Sequence, residues 1–143
     1  MDLKIEAPIS LRINKPMPEV FSAFTDPLKA REFLCDAMSG EWKAGGKVVW
    51  RFGETNVVLK IQEVIENEFL RFHWNGADFL DYETEVNIRF ILQEPGVTGV
   101  KILNTGFETD QISLKSALDA ACGWENVLCR LKGWLEYGVD LRK

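Results

Sequence analysis

The sequence predicts a two-layer α+β domain, with one long helix lying across an antiparallel sheet. Three observations lead there. Six segments between Ile9 and Phe107 have strand character, and the best of them alternate apolar and polar residues. The connections between them are short, as antiparallel neighbours allow and parallel ones do not. From Leu114 onward a single apolar run recurs at three- and four-residue steps, the signature of one long amphipathic helix.

The elements follow in order. PISLRIN sets Ile9, Leu11 and Ile13 against Ser10, Arg12 and Asn14, a half-buried strand. In NKPMPEVFSAFTDP, Pro18 suits a first helical turn, and Val20, Phe21 and Phe24 share a face. Asp26 then caps a second helix with Pro27 at its first position, running to about Leu34. Gly45-Gly46 is a turn before a strand carrying Val48, Trp50 and Phe52 on one face. NVVLKIQEV, FLRFHW and YETEVNIRFIL are further strands, with Asn75-Gly76 as a hairpin turn between the last two. EPGVTG is another turn and leads into VKILNTGF. The closing helix is expected from about Leu114 to Tyr137. Its inward line is read as Leu114, Ala117, Leu118, Ala121, Trp124, Leu128, Leu131 and Leu135. Gly123 and Gly133 each cost a helix interior about 1 kcal/mol relative to alanine. Each precedes a tryptophan, which suggests close approach of the helix to a neighbouring surface.

A chain of 143 residues points to one domain, taken as residues 1–143. Such a chain buries roughly 70% of its unfolded surface and needs no staple to fold. A net charge of −5 and the absence of a basic face argue against nucleic acid as a partner. No apolar run is long enough to span a membrane. The opening MDLKIEAPIS lacks the apolar stretch of a secretory leader. Three cysteines, Cys35, Cys122 and Cys129, form no disulfide framework and read as small buried apolar residues in a reducing, cytoplasmic setting. Oligomeric state is left open by the sequence.

Strand alternation selects the inward side chains. These are Trp50 and Phe52; Leu70, Phe72 and Trp74; Thr84, Val86, Ile88 and Phe90; and Val100, Ile102 and Asn104. The set is large and aromatic with a few polar groups among it, the composition of a small-molecule pocket and also that of an aromatic core. The candidate ligand-binding residues are Trp50, Phe52, Trp74, Tyr82, Thr84 and Asn104 from the sheet side, with Trp124 and Leu128 from the helix. Trp124 is placed over the cavity and Trp134 nearer its rim.

The order of elements and five stretches carry a resemblance. EVFSAFTDPLKAREFL, GEWKAGGKVVWRF, FLRFHW, GVKILNTGF and CGWENVLCRL resemble, in that order, segments of the Activator-of-Hsp90-ATPase-homologue domains. That family belongs to the START-like superfamily, with pollen-allergen-type proteins and polyketide cyclases. The resemblance implies the helix-grip fold: a curved antiparallel sheet of six to seven strands wrapped around the C-terminal helix, with two short helices after strand 1. It also implies a cavity between sheet and helix that takes an apolar molecule. Phe33, Asn104 and Val100 stand where the family often has tryptophan, histidine and threonine.

Known catalytic and metal patterns are absent from the sequence. There is one histidine, His73, on the outward set, and no CxxC, so no metal ligand set is expected. No GxSxG elbow occurs, and GEWKAGGK lacks the spacing and the following helix of a phosphate loop. Glu83 and Glu85 read as a charged outer face. No catalytic residue and no cofactor is assigned. Three functions fit: a binding module for a small apolar or amphipathic ligand, a co-chaperone-like domain with a protein partner, or a cyclase- or hydrolase-type enzyme using the same cavity. The binding module is the preferred reading.

Overall fold

The computed structural model describes residues 3–76 and 80–143. Its elements run β1 (Ile5–Ile13), α1 (Met17–Thr25), α2 (Pro27–Ala30), β2 (Ala37–Gly40), β3 (Lys47–Phe52), β4 (Thr55–Ile65), β5 (Phe69–Trp74), β6 (Thr84–Glu94), β7 (Val97–Phe107) and α3 (Gln111–Tyr137). The strands form one seven-stranded sheet in the order β1-β7-β6-β5-β4-β3-β2, and every neighbouring pair is antiparallel. This is the helix-grip α+β arrangement, with a seventh strand, β2, at one edge that the sequence reading passes over. AMSG is too short and too mixed in character to declare itself without its partner β3.

Local chemistry explains most boundaries. Asp26 accepts a hydrogen bond from the Leu28 amide at 2.9 Å and so caps α2. That helix ends at Ala30, and turns rather than helix carry the chain on to Leu34. Pro95 and Gly96 link β6 to β7, with Gly96 at φ +76°, the left-handed region that glycine tolerates. Asn75 and Gly76 do not form a two-residue hairpin. Trp74 pairs with Thr84, so the connection spans 75–83, and Asn75 bonds to the Leu80 carbonyl within it.

The inward set on the strands is buried as alternation requires, from Leu70 and Phe72 to Val86, Ile88, Phe90, Val100, Ile102 and Asn104. The helix phase differs from expectation. Leu114 and Leu118 face outward, Leu118 being 61% exposed. The face turned to the sheet begins with Ser113, Ser116, Ala117 and Ala120 before Trp124, Leu128 and Leu131. Cys122 and Cys129 are exposed with the outward face, and only Cys35 is buried. Burial pushes the Cys35 thiol up to about 11.

Two halves of the interior are filled differently. Phe21 and Phe24 each pack edge to face on Phe90, and Phe24 packs likewise on Phe33, whose ring stacks on Trp134 at 5.7 Å. This aromatic block fills the space between α1, α2 and the C-terminal half of α3. Trp134 therefore belongs to packed core. The other half, under the N-terminal half of α3, is lined by small helix residues.

Candidate functional site

A half-open cavity of about 490 Å³ lies between the inner face of the sheet and the N-terminal half of α3. Its origin is a mismatch of side-chain size. The helix contributes Ser116, Ala120, Gly123 and Val127 to the lining, while Trp50, Val57, Trp74, Thr84, Asn104 and Phe107 face them from the sheet. Short side chains on one wall leave volume that the other wall does not fill.

Three tryptophans form one end of the cavity. Trp50 and Trp74 lie 6.0 Å apart edge to face, and Trp124 stands 6.3 Å from the first and 5.2 Å from the second. The three rings are in contact with one another, and all three residues line the cavity. Asn104, almost fully buried, organises it. Its side-chain amide donates to the Thr84 hydroxyl at 3.0 Å and to the Glu85 carbonyl at 2.9 Å. Its oxygen faces the Trp124 indole N–H at 3.5 Å, a long contact.

Two polar groups in the lining have no partner. The Trp50 indole N–H and the Ser116 hydroxyl are buried and unbonded among the described residues. Buried polar groups are hydrogen-bonded as a rule, so such exceptions call for an explanation. At the rim lie Phe52, 39% exposed, and two charged residues of α3, Asp119 and Arg130.

Of the residues singled out from sequence, Trp50, Phe52, Trp74, Thr84, Asn104 and Trp124 come together in this lining. Tyr82 and Leu128 do not. The Tyr82 hydroxyl bonds to the Ser113 hydroxyl and accepts from the Glu108 amide, pinning the start of α3 from outside the lining. Leu128 is wholly buried core. Gly123 also departs from expectation: a Cβ there would meet nothing within 4 Å, because the residue faces the void rather than a close neighbour. Gly133 is the tightly packed one. Its neighbour is the chain beyond the helix, where a Cβ would stand 3.0 Å from Leu141 Cδ1. Ser116, Val57, Ala120, Val127 and Arg130 were missed. The available signal was the run Ser113, Ser116, Ala120, Gly123, small residues at helical steps opposite a wall of aromatics.

The outer face of the sheet is ion-paired. Lys60 meets Glu83 at 2.7 Å, and His73 Nε2 lies 3.2 Å from Glu85. Burial raises the Glu85 carboxyl, but bonds from Asn87 and His73 and the charges of His73 and Arg71 outweigh it and hold it below 4.5. Among the described residues no cluster of three or more His, Cys, Asp or Glu is arranged to hold a metal ion. No helix among them is long and apolar enough to cross a membrane.

Residues 14–136 match the family described as Activator of Hsp90 ATPase homolog 1-like protein. The chain belongs to this family. Among solved structures, a Staphylococcus saprophyticus protein is 27% identical, with a TM-score of 0.78 over 96% of each chain. The Aha1 dimer from Colwellia psychrerythraea is 19% identical, with a TM-score of 0.78 over 94% of this chain and 98% of its own. DynU16, a protein of the dynemicin biosynthetic locus, is 19% identical with a TM-score of 0.81, over 94% of this chain and 48% of its own. The latter two likenesses concern the fold. No curated protein matches the chain.

Proposed function

We propose that this family member binds a small apolar or amphipathic molecule in the cavity beneath α3. The carrying observation is the cavity itself. Its volume of about 490 Å³ falls in the range of small-molecule sites, and its walls are mainly apolar. Asn104 serves the site indirectly by fixing Trp124 and Thr84. The paired charges on the outer sheet face suit solvent better than a stable protein interface, whose core is depleted of charge. Among the described residues only one carboxylate lines the cavity, Asp119, and it pairs with Lys115 at 3.7 Å, which favours binding over acid–base chemistry there. Three unpaired cysteines support a reducing, cytoplasmic setting.

Two measurements test the reading together. Native mass spectrometry of the purified protein is expected to show a co-purified apolar molecule. Tryptophan emission is expected to change on titration with apolar compounds, and Trp124→Phe to remove much of that change. A bare protein whose emission no apolar compound perturbs overturns the proposal.

A further inference from the structure

Arg130 is the cation of the cavity lining, half-buried at its rim. Arg12, Arg31, Arg71 and Arg142 have carboxylate partners and Arg89 lies over the Phe69 ring, whereas Arg130, like the exposed Arg51 outside the lining, has no hydrogen bond or ion pair among the described residues. Its own helix supplies none: one turn to either side stand Asn126, Val127, Gly133 and Trp134. The other charged residue of the lining, Asp119, is already matched by Lys115. Among the described residues, the cavity thus carries one uncompensated positive charge in a chain whose net charge is −5. Partial burial strips water from the guanidinium without replacing it. Its planar fork fits a carboxylate with two parallel bonds.

The cavity has length as well as charge. Ser116 and Arg130 both line it and are fourteen residues apart on one helix, about 21 Å by helical rise. The unpartnered Ser116 hydroxyl and Trp50 N–H lie in the interior, and the lining between them and Arg130 is formed by Ala120, Gly123 and Val127. We infer that the ligand is an elongated carboxylate whose anionic end sits on Arg130 and whose apolar body runs along α3 towards Ser116. This rests on the binding reading above and adds the chemical class and direction of the ligand.

The test compares three probes of one chain length, dodecanoate, dodecanol and dodecylamine, by tryptophan emission. The native protein is expected to bind dodecanoate about tenfold more tightly than dodecanol, the effect of a charge-assisted contact discounted for solvent at the rim. That advantage shrinks with added salt. Arg130→Gln is expected to abolish it, bringing acid and alcohol to equal affinity. Arg130→Lys keeps part of it, and Arg51→Gln, at an exposed strand position outside the lining, keeps all of it. Equal affinity for acid and alcohol, tighter binding of the amine, or an acid preference that survives Arg130→Gln overturns the assignment and leaves the cavity reading standing. Failure of all three probes to bind overturns both.

Discussion

A glycine inside a helix is a cost that something must offset, and Gly123 and Gly133 do so in opposite ways. At Gly133 the missing side chain admits Leu141, whose Cγ would lie 3.1 Å from a Cβ. At Gly123 it leaves space empty. Alanine at 123 is therefore expected to raise stability by about 0.5–1 kcal/mol, the gain in helix propensity. The same methyl enters the cavity lining, so affinity for apolar ligands should fall. Denaturant titration and ligand titration of Gly123→Ala check the two halves, and a destabilised variant would mean the backbone there is packed after all. The residue scale also shows what sequence reasoning reaches. Trp50, Trp74, Thr84 and Asn104 were placed by a strand period of two, which leaves only one choice of face. Tyr82 precedes β6 and lies outside any strand, where alternation has no hold. Leu128 was given the right face of α3, but whether an inward side chain meets a void or a neighbour depends on residues distant in sequence.

At the scale of the element, α3 shows why a helix phase can be misread. Ile112, Leu114 and Leu118 are the most apolar residues of its first turns, yet they are exposed while Ser113, Ser116 and Ala117 are buried. Hydrophobicity argued for the leucines, and the cavity reverses the argument by asking for small residues on the inner face. From Trp124 onward the ordinary rule returns, because the partner surface there is packed core. The helix ends are chemically explicit: Asp110 accepts from the Ser113 amide at 2.8 Å, and Gly138 closes the last turn at φ +68°. The phase yields a paired prediction. Leu128→Asp buries a charge without a partner and is expected to cost several kcal/mol, enough to threaten folding. Leu118→Asp, ten residues earlier on the outward face, is expected to stay within about 0.5 kcal/mol of the parent. Thermal unfolding of the two variants decides; equal midpoints would show that the assigned faces are wrong.

At the scale of the whole molecule, the fold was legible in the residue pattern, whereas the void was expected only through the family resemblance. Element order and alternation define a sheet and a helix, but the distance between them is set by what stands in the gap. One half is bridged by the Phe24, Phe33, Phe90 and Trp134 block, and the other is left open in front of the tryptophan triad. A helix standing over a partly empty space needs anchoring at both ends. At the N-terminal end Tyr82 holds Ser113. At the C-terminal end the nearly buried Glu136 accepts from Lys132, from the Asn14 amide at 3.1 Å and from the Asn14 side chain at 2.9 Å, while Lys132 also reaches the Arg12 carbonyl. Burial raises the Glu136 carboxyl, but these bonds outweigh it and hold it below its ordinary 4.5. A carboxyl whose folded value is depressed binds fewer protons folded than unfolded. Its stabilisation is therefore present above about 4.5 and is lost as the pH falls through the lower folded value. Glu136→Gln mimics the protonated state at every pH. The parent is expected to exceed it in stability by about 1–3 kcal/mol at neutral pH, the cost of losing bonds to a charged group. That difference should narrow steadily below pH 4.5. Urea titrations of both proteins across the acid range measure it. A gap that stays constant with pH would mean that the carboxylate's charge contributes nothing, and that shape alone holds this end of α3 to β1.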